Sequence, residues 1–249
     1  MTHYGFSRFT WSLCCLLFVL MGCRNVNEFE PTEQVVLLHG LGRSGRAMYL
    51  LRKRIGEAGF ITHSVSYDSL KESPDLILEQ VGLEIGECCK DNGLTVHFVG
   101  HSLGGLIIRA YLDQRPLDNL GRVVLLGTPN QGSKLVDKYG EEWLLRIMGP
   151  TVRELGTGEG SFPNRIGAPY YPIGIIAGTS SSNPLTSESL PGPDDGLISV
   201  ESTKLEGMTD FLQVDTSHSR LRYNETVAKE VVHFLKHGRF SHTTTHTAP

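Results

Sequence analysis

Residues 96–105 read Val-His-Phe-Val-Gly-His-Ser-Leu-Gly-Gly, a β-rich apolar run that passes directly into a serine with glycines two positions away on either side. Residues 94–99 have the composition of a buried strand, and residues 103–113 repeat their apolar side chains at helical spacing. Ser102 therefore stands at a strand-to-helix turn. There Gly100 and Gly104 let the two elements approach closely, the sharp turn pushes the hydroxyl outward, and the helix N-terminus points at any negative charge developing beside it. The pattern G-x-S-x-G is short enough to arise by chance in a chain with 28 glycines. Alone it leaves two readings, a nucleophile or a small residue in a tight turn. A serine hydroxyl needs a base before it can attack anything, so the rest of the chain has to decide.

From Gln34 the alternation of strand and helix repeats, which predicts a parallel sheet covered by helices. Residues 34–39 (QVVLLH) are nearly continuous in apolar side chains, as in a strand buried on both faces. With residues 60–67, 94–99, 122–126, 173–177 and 211–214 they make about six strands. Helices are expected over residues 46–58, with Met48, Leu51, Ile55 and Ala58 on one stripe, and from Ser73-Pro74 through Ile77, Val81, Ile85 and Cys88 to a stop at Asn92-Gly93. A last helix over residues 224–236 would bury Val227, Val231, Phe234 and Leu235. Two insertions, residues 128–170 and 179–195, interrupt the pattern. The first contains the apolar segment EWLLRIM (142–148), which reads either as core or as a small cap over the site of Ser102. Residues 238–249 carry so little apolar content that a disordered tail is expected, with His242 and His246 solvated.

Five motifs then stand at the positions such a sheet would give them: LLHGLG (37–42), GHSLGG (100–105), LLGTPNQGS (125–133), DDGLISVES (194–202) and TSHSRL (216–221). On these the chain resembles the α/β-hydrolases of the bacterial lipase/esterase type, and is similar to the GPI inositol-deacylase-like hydrolases, over about residues 34–237. The resemblance implies a Ser-acid-His triad in that chain order, here Ser102, Asp195 and His218. Asp195, followed by Gly-Leu, matches the pattern of the acid, with Asp194 as an immediate competitor. It further implies an oxyanion hole of two backbone amides, by position those of Leu41 and Leu103. His101 inside the turn is expected to pack or hydrogen-bond locally, and His63, His97 and His233 to be structural. Calcium-dependent lipases carry an acidic residue two positions after the catalytic His. Arg220 stands there in this chain and would repel Ca²⁺, so neither metal nor other cofactor is expected.

The N-terminus adds a location. Residues 1–23 hold Arg8, the apolar run LCCLLFVLM and Gly22-Cys23, the order of a signal peptide. The apolar run is shorter than the ~20 residues of a membrane-spanning helix, although an uncleaved short anchor is the alternative reading. Leu20-Met21-Gly22-Cys23 resembles the lipobox of bacterial lipoproteins, which implies lipidation at Cys23, a tether over residues 24–33 and a place in the cell envelope, at the outer membrane or on the periplasmic side. Only Cys88 and Cys89 remain in the mature domain. As neighbours on a helix they are expected to diverge, so no disulfide framework is foreseen. A net charge of −4 and the lack of a basic run give no reason to expect nucleic acid. A monomeric serine ester hydrolase acting on lipid or small acyl esters is the expectation. An acyltransferase using the same acyl-enzyme, or a catalytically silent tethered binding protein, are the alternatives.

Overall fold

The computed structural model describes residues 33–89, 93–140, 149–181 and 184–243. All lie in the unit Pro31–Pro249, one of the two into which the chain divides. Cys23 and the signal segment, residues 142–148 and His246 fall outside the described residues.

Six strands form one sheet: β1 (Glu33–Leu38), β2 (Ile61–Val65), β3 (Thr95–His101), β4 (Leu120–Leu126), β5 (Ile173–Gly178) and β6 (Asp210–Val214). Their order is β2-β1-β3-β4-β5-β6 and every pairing is parallel. Among the described residues four longer helices cover it: α1 (Tyr49–Glu57), α2 (Pro74–Cys88), α3 (Leu103–Gln114) and α4 (Glu225–His237). The period-two alternation of a strand sorts β1 between two cores. Val36 and Leu38 pack with Ile77, Val81 and Ile107 of α2 and α3, whereas Val35 and Leu37 pack with Leu51, Val231 and Phe234 of α1 and α4. Both faces are buried, which is why β1 reads as an unbroken apolar run.

Local chemistry sets the element ends. Ser73 caps α2 by accepting the Leu76 amide, with Pro74 in the first turn. Asn224 caps α4 through the Val227 amide, and Gly238, at φ 73°, closes it in the left-handed conformation. The helix expected from residue 46 opens as a 3₁₀ turn, Gly45–Met48, before α1 proper. Glu33, assigned to the tether by sequence, is already the first residue of β1.

The chain after α4 departs from expectation. Phe240 is 2% exposed, its ring 4.9 Å from that of Phe234. Its amide donates to Asp210 Oδ2 (2.8 Å) and that of Ser241 to Glu230 Oε2 (2.7 Å). Residues 238–241 are thus a hook fastened to β6 and α4, because one aromatic ring and two carboxylate acceptors outweigh the polar composition around them. Part of the 128–170 insertion is equally well fastened. Val152, Leu155 and Phe162 are buried, and the buried Arg109 of α3 donates to Asn130 Oδ1 (3.1 Å) and the Ile166 carbonyl (3.3 Å).

Candidate active site

The strand order places the site. β1 continues to β2 on one side of itself and β3 lies on the other, so the loops leaving β1 and β3 run to opposite faces and open a crevice at their C-terminal ends. Gly40 and Ser102 meet there: a Cβ on Gly40 would lie 3.0 Å from Ser102 Cβ and 3.0 Å from His101 Nδ1.

Ser102 has φ 56° and ψ −124°, a backbone conformation that costs a non-glycine residue on the order of 1–3 kcal/mol. Its neighbours make the turn feasible. A Cβ on Gly104 would overlap the carbonyl oxygens of Leu38 and His39, and one on Gly105 would overlap the side chain of Thr128. The Ser102 amide is spent on the Leu126 carbonyl (2.9 Å), which ties the turn to β4 and leaves the hydroxyl free to point away from the sheet.

That hydroxyl lies 3.0 Å from His218 Nε2, and His218 Nδ1 lies 2.7 Å from Asp195 Oδ2. Because the carboxylate only accepts, Nδ1 carries the hydrogen and Nε2 is the acceptor facing Ser102. Asp195 is 2% exposed. Its Oδ1 accepts the Leu197 amide (3.0 Å) and the Ile198 amide (2.8 Å), and its own carbonyl accepts the His218 amide (2.9 Å). Asp194 points elsewhere, accepting from Ser187 Oγ (3.0 Å) and the Gly196 amide (2.7 Å). Geometry separates the two neighbouring carboxylates completely. Close approach around the pair again demands glycine. A Cβ on Gly127 would come within 3.1 Å of both Asp195 Oδ2 and His218 Nδ1, and one on Gly178 within 2.8 Å of Asp195 Cβ.

His101 reaches further than expected. It lies under the site, with Nε2 2.9 Å from the backbone oxygen of His218 and the two rings 4.8 Å apart. A carbonyl partner requires Nε2 to donate. Burial holds this imidazole well below its usual range, with the nearby His218 as a second cause, so His101 stays neutral and acts as a strut for the His218 loop.

Leu103 is buried and Leu41 partly so; neither amide donates to another described residue. Around Leu41 runs a network that sequence reading missed. The Tyr67 hydroxyl donates to the His39 carbonyl, and His39 Nδ1 donates to the Gly40 carbonyl (2.8 Å). His39 Nε2 accepts the Tyr67 amide (3.3 Å), the two rings stack with centroids 4.1 Å apart, and the Gly42 amide donates to Ser69 Oγ (2.9 Å). The loop is held from both sides. Of the remaining histidines, His63 lies in β2 and His233 in α4. His97 accepts the Arg122 amide (2.9 Å) at the point where the β3–β4 register shifts.

The family model of the palmitoyl protein thioesterases matches residues 34–159, half of the chain, taking in the Leu41 loop and Ser102 but ending before Asp195 and His218. No curated protein matches the chain in sequence. Among solved structures, the mature lipase BlEst2 of Bacillus licheniformis aligns at 20% identity and TM-score 0.61, over 77% of this chain and 87% of that one. Phospholipase PlaB from Legionella pneumophila aligns at 17% identity and TM-score 0.56, over 70% and 46%. A putative thioesterase from Silicibacter aligns at 15% identity and TM-score 0.58, over 84% and 78%. At these identities the likeness concerns the fold. It is the α/β-hydrolase fold in each case, and with a model match spanning β1 to the insertion after β4, the chain belongs to the palmitoyl protein thioesterase family.

Proposed function

We propose that this protein is a serine hydrolase that cleaves acyl esters and thioesters through an acyl-enzyme on Ser102. The observation that carries the reading is the continuous chain from Ser102 Oγ through both nitrogens of His218 to the buried carboxylate of Asp195. Ser102 Oγ attacks the substrate carbonyl carbon while His218 Nε2 takes its proton, and Asp195 stabilises the resulting imidazolium. The oxygen that gains charge is received by the Leu41 and Leu103 amides, at the N-terminus of α3. When the tetrahedral centre collapses, the carbon–oxygen or carbon–sulfur bond to the leaving group breaks and His218 returns the proton to it. Water then repeats the sequence on the acyl-serine and frees the acid.

Family membership favours an acyl thioester, and the surroundings favour an apolar acyl group. Leu70, packed against Gly42, and Leu197, beside Asp195, are 39% and 46% exposed. The test is fluorophosphonate labelling of Ser102, followed by turnover of p-nitrophenyl esters and acyl thioesters of increasing chain length. Labelling at Ser102 with turnover that rises with chain length is expected. An unlabelled Ser102 would overturn the reading.

For location, we propose lipidation at Cys23, with residues 24–32 as the tether and the enzyme held at the cell envelope near water-insoluble substrates. More than one acyl chain gives stable anchoring where a single chain is marginal. Metabolic labelling with a palmitate analogue should mark the wild type and not Cys23→Ser; label retained in the variant would refute it.

A further inference from the structure

Cys88 is the last residue of α2 and Cys89 its C-cap. Within a helix, consecutive side chains are turned about 100° apart and would diverge. Cys89 escapes that rule: its backbone, at φ −120° and ψ 18°, has left the helical region, and the two side chains converge. Their Sγ atoms are 2.7 Å apart and neither cysteine is in a disulfide. Sequence reading expected the opposite, because it treated both as interior helical residues.

Both thiols are half-buried, and Cys88 opens on a groove of about 660 Å³ beside the edge strand β2, together with His63, Ser64, Glu84 and Glu87. The contact between the two thiols pulls Cys88 below its usual range against the opposing effect of burial; the same contact, with burial, pushes Cys89 up.

The pair is poorly suited to a direct S–S bond. Consecutive Cα atoms are ~3.8 Å apart across a trans peptide, whereas a relaxed disulfide spans roughly 4.4–6.8 Å. A bridge of one additional atom between the sulfurs widens the ring and removes that conflict. We infer that Cys88 and Cys89 form a dithiol site that captures soft thiophilic centres bidentately, trivalent arsenicals being the simplest class, with the groove beside β2 accommodating the substituent. With an arsenic(III) oxide of the type R–As=O, two S–H bonds break and two As–S bonds form. The oxygen leaves as water with both protons, and arsenic remains trivalent.

α2 runs from the C-terminal end of β2 back to the start of the parallel strand β3, so its C-terminus lies toward the N-terminal ends of the strands, opposite the C-terminal ends that carry Ser102. Occupancy should therefore leave turnover alone.

The experiment treats the full chain with phenylarsine oxide, alkylates the remaining thiols, and maps peptides, which separates Cys88 and Cys89 from the neighbouring pair Cys14 and Cys15. Both Cys88 and Cys89 should be protected from alkylation. Protection should be reversed by 2,3-dimercaptopropanol but not by an equal thiol concentration of a monothiol, and lost at the surviving cysteine in Cys88→Ser and Cys89→Ser. Ester turnover of treated and untreated protein should agree within twofold. Cysteines that remain alkylatable, protection retained in the single variants, or a pair that becomes reactive only after reduction would each overturn the inference; the last would mean a vicinal disulfide instead.

Discussion

Asp194 and Asp195 are adjacent, both carboxylates and both buried, yet only one touches His218. The consequence is sharp. Asp195→Asn should lower kcat/KM by about 10⁴-fold, since an amide no longer selects the tautomer that leaves Nε2 free. Asp194→Asn should stay within about tenfold of wild type, since it disturbs only hydrogen bonds to Ser187 and Gly196. Steady-state kinetics on the two variants checks this, and equal losses would mean that neither carboxylate orients the imidazole. Ser102→Ala should remove about 10⁴-fold or more of the activity with the fold intact by circular dichroism. Tyr67 touches no reacting atom. Its hydroxyl positions the loop whose amide is to receive the oxyanion, so Tyr67→Phe should cost kcat about 10–100-fold and leave KM nearly unchanged. A loss confined to KM would place Tyr67 in substrate binding instead.

The turn between β3 and α3 shows how an element boundary can be dictated by space. Gly104 lies against backbone carbonyls of the β1 end rather than against movable side chains, so Gly104→Ala should destabilise the domain by at least the ~1–3 kcal/mol typical of overpacking, read as a lowered urea midpoint. The hook after α4 makes the converse case. Phe240 fills space between β6 and α4, and Phe240→Ala should cost about 3–5 kcal/mol, measured the same way. An unchanged midpoint would return residues 238–241 to the status of a tail.

Four of the described histidines are held in their neutral form. His39, His63, His97 and His101 are all held below the usual value of 6.5, with burial as the first cause in each. As pH falls through 6.5 the unfolded chain takes up protons that the folded chain refuses, and stability falls with it. The thermal midpoint should therefore be level above about pH 7 and decline steadily below about pH 6.5. His101→Asn should shallow that decline, having no proton to refuse. A midpoint that rises on acidification from pH 7 would contradict the neutral assignment.

Much of this was legible along the chain. Strand and helix periodicities are local, so six strands, their helices and the Ser102 turn followed from runs of ten or so residues, with ends off by a few positions where a cap or a 3₁₀ turn intervened. Ser102 stands at the end of β3, a place that pattern marks, whereas its role and that of His218, in the loop after β6, were named on the family resemblance. Between Asp195 and Asp194 the Gly-Leu that follows gave only a lean to Asp195: adjacent carboxylates differ in direction, and direction came from the 194–199 turn and from Gly127 and Gly178 packing behind it. The Tyr67–His39 clamp joins residues 28 positions apart, just past the ends of the neighbouring strands β2 and β1, the Phe240 hook needs a cavity made by β6 and α4, and the convergence of Cys88 and Cys89 needs a helix to end between them. Each is a contact across space or a change of backbone angle, and hydrophobic periodicity carries no information about either.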